Sequence, residues 1–460
     1  MARPPRAVFV TLAAGAVLAG LVSGAQAVPP SSQSDTASQS DTTASAALAV
    51  LPPATTEGAA PTAAGVQKAL QPVLRDPSLG KHYGAYVYDA SRGKAVYSVG
   101  NAKPFVPAST MKLLTTVAAL ETLGPDHWFT TKTVLAANGT LILVGGGDPL
   151  LTIKRSSDPL DFPPRATLQD LATSTARALK AEGVLSVTLG YDATLFEGPA
   201  ANAKWEPKYV TEGIAARTSA LWVNEGRVSP GMAKRATSPA QAAATSFATL
   251  LQAAGIKVAR SVKPTTASSS ANNVAEVRSA SIGEIVEYVN LHSDNDGAEV
   301  LLRHVGIATE NGGSYAGGLT GLRATLTKLG VNVSKARLED GSGLSRTNQV
   351  PLDVLAGALR VAAARPELRH LISGLPVAGF TGSLEERFAG PGTAAGTGLV
   401  RAKTGTLTSV HSLAGLVRDR TGTLLVFVVA TDSAPPDKAL AARAALDRAA
   451  ATLANCGCAA

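Results

Sequence analysis

Cysteine is nearly absent: Cys456 and Cys458 are the only two in 460 residues, both in the tail Asn455-Cys456-Gly457-Cys458-Ala459-Ala460. A disulfide framework is therefore excluded as the basis of the fold. A bridge between the two would close a tiny strained loop and staple nothing distant. The six histidines, His82, His127, His292, His304, His370 and His411, are scattered and match no zinc spacing, so neither a metal nor a cofactor is expected. Aromatic residues make up 4% and charged residues 17% of the chain, and no Arg/Lys run is interleaved with aromatics, which argues against nucleic acid as a partner. After the N-terminal stretch no apolar run is long enough to span a bilayer, so membrane association is expected to be peripheral or none.

What is present is a long, small-residue-rich chain, 45% hydrophobic, able to bury a large core in more than one domain. Its formal charge of +8 favours loose contact with anionic polymers or surfaces. Arg3 and Arg6, an apolar stretch over 7–22 and the small-x-small site Ala25-Gln26-Ala27 read as a secretory signal, 1–27. An uncleaved anchor is the rival reading, and both put the protein outside the cytoplasm, secreted or at the outer face of the membrane and cell wall. Residues 28–61, mostly Ser, Thr, Ala and Pro, cannot bury enough apolar surface to order themselves and read as a tether.

The hydrophobic periodicity predicts a helix over 66–74 and strands over 83–89 and 95–99, feeding a helix that starts near Ser109. Over 129–280 short strands (140–144, 184–189) alternate with helices (168–181, 240–254), and 264–273 is a low-complexity joint. Helices over 282–292 and 297–306 flank His292-Ser293-Asp294-Asn295, followed by strands at 398–407, 411–418 and 423–431 and a closing helix at 437–453. Strands at both ends with helices between imply an antiparallel sheet flanked by helices, an α/β (α+β) fold. Residues 62–130 and 281–455 then form one domain, with inserted mixed, β-rich material at 131–280.

The chemistry centres on Ser109-Thr110-Met111-Lys112. Residues three apart on a helix share a face, so a hydroxyl and an amine meet, as an activated nucleophile requires. The amine must be neutral to act as base, and Lys403 is a candidate for disfavouring its charge. The same spacing at Ser78–Lys81 and Ser91–Lys94 contains Gly in turn-like surroundings and should not share a helix face. Gly145-Gly146-Gly147-Asp148-Pro149 lacks the Lys and Ser/Thr of a phosphate loop and reads as a turn. The run 340–346 lacks the spacing of a hydrolase nucleophile elbow and reads as a structural loop.

Ser109-x-x-Lys112, Ser293-Asp294-Asn295 and Lys403-Thr404-Gly405 stand in the order seen in penicillin-binding proteins and class A β-lactamases, whose motif set they resemble. The 184 residues between Ser109 and Ser293 (293 − 109), together with 145–149, 190–192, 223–225, 340–346 and 379–384, are similar to the D-Ala-D-Ala carboxypeptidase/endopeptidase family of class C low-molecular-mass penicillin-binding proteins. The resemblance implies a β-lactamase/transpeptidase-like domain and acyl transfer on peptidoglycan stem peptides, with β-lactams as covalent inhibitors. It implies Ser109 as nucleophile, Lys112 as base, Ser293 as proton relay to the leaving amine and Asn295 as a holder of the substrate amide and Lys112. Lys403, Thr404, Gly405 and Thr406 would form the strand that binds the substrate's carboxylate, with the Ser109 and Thr406 amides as oxyanion hole. A β-lactamase and a catalytically silent wall-binding homologue are the alternatives; no Glu-x-x-Leu-Asn deacylation element is found, and every motif residue is present.

Overall fold

The computed structural model describes residues 60–459 except 159, 230, 260 and 261. The expected signal, 1–27, and all but the last two residues of the expected tether, 28–61, lie outside the described residues. The first helix, α1 (Ala63–Leu74), is opened by Thr62, whose hydroxyl accepts from the Gly65 amide.

Two strands from the N-terminal part of the described chain and three from the C-terminal part form one sheet. β1 (Tyr83–Asp89) and β2 (Lys94–Val99) form a hairpin. After the strands of the middle segment, β9 (Arg401–Leu407), β10 (Val410–Arg418) and β11 (Leu424–Thr431) come last. The order β2-β1-β11-β10-β9 is antiparallel throughout, with Tyr83 opposite Thr431 and Asp89 opposite Leu425. Both faces are covered, so every residue of β11 is buried. Phe427, Val429 and Leu413 face α1 and the closing helix α11 (Ala439–Ala454), while Val426, Val428 and Ala414 face the other helices. Cys456 and Cys458 are disulfide-bonded. The small ring does more than expected of it: its Cys458 carbonyl accepts from the Thr62 amide at 2.8 Å and so closes the start of α1.

The helical side is built around α2 (Lys112–Leu123), buried without a break from Lys112 to Leu120. Packed on it are α6 (Ile282–Leu291), α7 (Asn295–Ala308), α8 (Tyr315–Lys328), α9 (Leu352–Ala364) and the short α10 (Arg369–Ser373). The periodicity reading did not single out α8. Its Gly317, Gly318 and Gly321 weaken the helical signal, yet tertiary contact requires them. A Cβ on Gly318 would strike the Leu302 carbonyl oxygen and come within 2.8 Å of Leu302 Cγ on α7.

The middle segment makes a second sheet. It contains β3 (Thr130–Leu135), β4 (Thr140–Val144), α3 (Leu168–Ala181), β5 (Ser186–Asp192), α4 (Lys208–Thr211), α5 (Pro239–Ala253), β6 (Lys257–Val258), β7 (Lys263–Pro264) and β8 (Asn272–Arg278). The order is β6-β5-β4-β3-β8, with β7 on β5. β4 and β5 are parallel because α3 crosses between them, whereas β3 is antiparallel to both neighbours. The strand expected at 184–189 lies at 186–192, and the last residues of the expected joint already belong to β8. Leu171, Leu179, Phe247 and Leu251 of α3 and α5 cover this sheet with a core of their own.

In an isolated helix Gly318→Ala would stabilise by about 1 kcal/mol. Against Leu302 the sign reverses, and we expect a loss of about 1–3 kcal/mol in urea unfolding.

Candidate active site

Ser109 does not open the long helix, contrary to the expectation above. It sits in a separate 3-10 turn, Ala108–Met111, and α2 begins at Lys112. Ala108 is in the left-handed region (φ 48°), and the Pro107 carbonyl is occupied by the hydroxyls of Thr110 (2.7 Å) and Ser412 (2.8 Å). The turn still brings the pair together, with Lys112 Nζ 3.1 Å from Ser109 Oγ. The same amine donates to Asn295 Oδ1 and to the Ser342 carbonyl, both at 2.8 Å.

Ser293 and Asn295 come from the break between α6 and α7. Ser293 is in the left-handed region (φ 57°), and Asp294 caps α7 by accepting from the Asp296 and Gly297 amides. Asn295 is thereby the first residue of α7, with one end of its amide at Lys112 and the other donating to the Ile214 carbonyl of the middle segment at 3.2 Å. Tyr288-Val289-Asn290 lies one turn back inside α6; Asn290 is buried there and donates to Thr116.

Lys403, Thr404, Gly405 and Thr406 lie on β9, the edge strand beside the serine turn. Lys403 Nζ donates to Ser293 Oγ at 2.8 Å and to the Thr404 carbonyl at 3.0 Å. Thr404 shares a 2.7 Å hydrogen bond with Ser383, and Thr406 is exposed opposite His411. Gly405 has to be glycine, because a Cβ would meet Ser412 Oγ and lie 2.6 Å from the Pro107 carbonyl oxygen.

Sequence reasoning missed the support under Lys112. The loop after Leu338 was read as structural, yet its Ser342 carbonyl is one of the lysine's three acceptors. Glu299, one helical turn beyond Asn295 on α7, holds that loop by accepting from the Gly341 (3.1 Å) and Ser342 (2.8 Å) amides. Asp340 braces it from below, accepting from Gly343, Ser345, Asn348 and the Trp205 indole. An Asp-Gly-Ser-Gly run marks a tight loop, but nothing in it announces contact with a lysine 230 residues away.

Both lysines are fully buried. Burial pushes the Lys112 amine down to about 8, against the pull of Asp294, Glu299, Asp340 and Asp296. Lys403 was expected to be the cause of this depression; the main cause is the loss of water. Burial also drives Lys403 well below its ordinary value, and there the charge of Lys112 adds to it. Glu299 is raised to about 8, first by burial and then by Asp340.

Among the described residues one acidic group has the spacing of a metal site: Glu225, Asp294 and Asp296 offer oxygens within 4.8 Å of one another. Its oxygens are already partnered. Arg235 contacts Asp296 (2.7 Å) and Glu225 (3.5 Å), Arg227 contacts Glu225 (3.0 Å), and both Asp294 oxygens accept amides.

The profile of the D-Ala-D-Ala carboxypeptidase 3 (S13) family matches residues 66–238 and 229–453. The chain belongs to this family. A carboxypeptidase of Mycobacterium tuberculosis is 34% identical over 417 residues, 89% of this chain and 87% of the other. The carboxypeptidase DacB of Mycolicibacterium smegmatis is 32% identical over 459 residues, 98% and 95% of the two chains. The D-alanyl-D-alanine carboxypeptidase of Actinomadura sp. strain R39 is 29% identical, covering 84% and 86%. The crystal structure of penicillin-binding protein 4 from Haemophilus influenzae shares the fold with a TM-score of 0.67 at 20% identity, over 84% of this chain and 97% of that one. Within this S13 member, Glu299→Gln keeps the volume and one oxygen for the Gly341 and Ser342 amides, but turns amide hydrogens toward Gly341 where the second carboxylate oxygen accepts. We expect a loss of about 1–3 kcal/mol in denaturant unfolding.

Proposed function

We propose that the chain is a serine D-Ala-D-Ala carboxypeptidase acting on peptidoglycan stem peptides, with Ser109 as nucleophile and Lys112 as its base. One observation carries the reading: a fully buried amine, pushed down to about 8, lies 3.1 Å from the Ser109 hydroxyl and is held there by Asn295 and Ser342. A neutral lysine in that place can accept the serine proton as Oγ attacks.

Ser109 Oγ bonds to the carbonyl carbon between the two terminal D-alanines, and its proton passes to Lys112 Nζ. The amides of Ser109 and Thr406 stabilise the oxyanion, and Lys403 with the Thr404 and Thr406 hydroxyls holds the terminal carboxylate. Ser293, 2.8 Å from Lys403 Nζ, delivers a proton to the leaving amine. Asn295 holds the amide on the acyl side. The C–N bond breaks, free D-alanine departs, and water then hydrolyses the acyl-serine to release the shortened peptide. A leaving amine carried by a second stem would make the same steps a cross-link cleavage. A β-lactam enters by the same attack and leaves a long-lived acyl-enzyme.

We read residues 131–280 as material inserted into the catalytic domain of 62–130 and 281–455; the separate sheet and core of that segment support this. We place the enzyme outside the cytoplasm, where its substrate is. Among the described residues no helix is long and apolar enough to cross a membrane.

Brief incubation with benzylpenicillin should add one antibiotic mass to the wild-type protein and none to Ser109→Ala, with D-alanine released from a stem pentapeptide by wild type alone. Rapid antibiotic loss without an adduct would instead indicate a β-lactamase, and a folded protein with neither activity a silent homologue. The base must be neutral, so acylation should rise with pH and level off above about 8, falling roughly tenfold per unit below it. Stopped-flow acylation between pH 5.5 and 9.5 measures that limb.

A further inference from the structure

Two of the three acceptors around Lys112 Nζ are themselves held from the middle segment. The Ile214 carbonyl takes one end of the Asn295 amide. The other hold lies beneath the Ser342 carbonyl. Asp340, two residues earlier, is fully buried, and four N–H groups donate to it among the described residues. Three of them, from Gly343, Ser345 and Asn348, belong to its own loop. The fourth is the Trp205 indole, which reaches Asp340 Oδ2 at 2.9 Å from the middle segment.

Packing alone does not account for a tryptophan here. Its ring meets Tyr315 edge-on in the main core, a place that phenylalanine would also fill. The indole N–H is a buried donor that needs an acceptor, and a desolvated carboxylate is a strong one. In the same turn Asn202 accepts from the Lys204 amide and donates to the Glu339 carbonyl at 2.6 Å. The loop is gripped on its other sides as well. Thr115 of α2 donates to the Gly341 carbonyl at 2.7 Å, and a Cβ on Gly343 would strike the Ala108 carbonyl oxygen of the serine turn.

We infer that Trp205 is a positioning residue for the base: its indole N–H, acting through Asp340, fixes the Ser342 carbonyl and with it the Lys112 amine. The inference rests on the serine-peptidase reading, in which that amine takes the Ser109 proton. Phenylalanine at 205 keeps most of the packing and removes the donor, which frees the 340–343 loop to shift. The protonated amine then loses an acceptor, and its charged form is disfavoured. Of the charged groups that face it, Asp294, Asp296 and Glu299 stay in place, Asp340 pulls less as it recedes, and Lys403 is the opposing cation. The base becomes available at lower pH while its aim at Ser109 Oγ worsens.

The test compares the full wild-type chain with Trp205→Phe and Asn202→Ala, each checked for folding by urea unfolding. Benzylpenicillin acylation is followed by stopped flow across the pH range of the wild-type profile. Stem-pentapeptide affinity is measured in the Ser109→Ala background with and without Trp205→Phe. Trp205→Phe should lower the acylation plateau about fivefold or more and move its rising limb about half a pH unit or more toward acid, with peptide affinity held within about twofold. Asn202→Ala should move the limb the same way by less. A plateau and limb equal to wild type overturn the inference. So does a lower plateau with the limb in place, since a tryptophan that only packs would cost rate or stability without changing the base. A parallel loss of peptide affinity overturns it too, because the whole site would then be disturbed. If Trp205→Phe does not fold, Asn202→Ala decides: an acid shift of the limb supports the inference and an unmoved limb overturns it. Wild type that benzylpenicillin does not acylate at Ser109 overturns the serine-peptidase reading itself, a result distinct from all of these.

Discussion

Everything in the site depends on keeping one lysine amine dry and fully hydrogen-bonded at once. Lys112 Nζ has three donors when charged, and its three acceptors are Ser109, Asn295 and the Ser342 carbonyl. They come from a turn before α2, the first residue of α7 and a loop beyond α8. A buried cation without them would be prohibitively costly, and a neutral amine without them would be aimed at nothing. Burial lowers the amine's basicity while four carboxylates restrain the fall, so that its neutral form is accessible near neutral pH. Reactivity here is a balance of opposed electrostatic forces rather than a property of the Ser-x-x-Lys spacing.

The middle segment takes part in that balance. The Ile214 carbonyl fixes one end of the Asn295 amide, and the Ala216 amide with Arg235 holds Asp296, the next residue. These contacts lie on a packed seam between the two sheets, where Leu150, Trp205, Tyr209 and Ala215 of the middle segment join the main core. The middle segment and the serine turn are therefore held in a fixed relation through Asn295 and Asp296.

The sequence revealed the parts of this arrangement that local chemistry specifies. Helices with continuous periodicity, such as 168–181 and 282–292, and the strongly apolar strands of the C-terminal half could be read from spacing alone. The three motifs could be read because each is short and contiguous. What could not be read was decided by distant partners. Helix α8 carries glycines that propensity counts against it and that α7 demands. Glu299 and Ser342 look like an ordinary helix residue and an ordinary loop residue until folding places them under Lys112. The weight given to Lys403 as the source of the depressed basicity failed for the same reason: spacing shows charges, but it does not show the absence of water.

The pairing of β1 with β11 has a consequence for when the molecule becomes reactive. These neighbours in the sheet are separated by nearly the whole described chain, Tyr83 lying opposite Thr431. Such a contact closes slowly and only after the last strand is available. The serine turn rests against β9 and β10, so it too lacks its backing until the C-terminal strands arrive. A chain emerging from its N-terminus carries Ser109 and Lys112 long before β9 and β10 can back them. Competence to acylate arrives as a single late event, timed by topology.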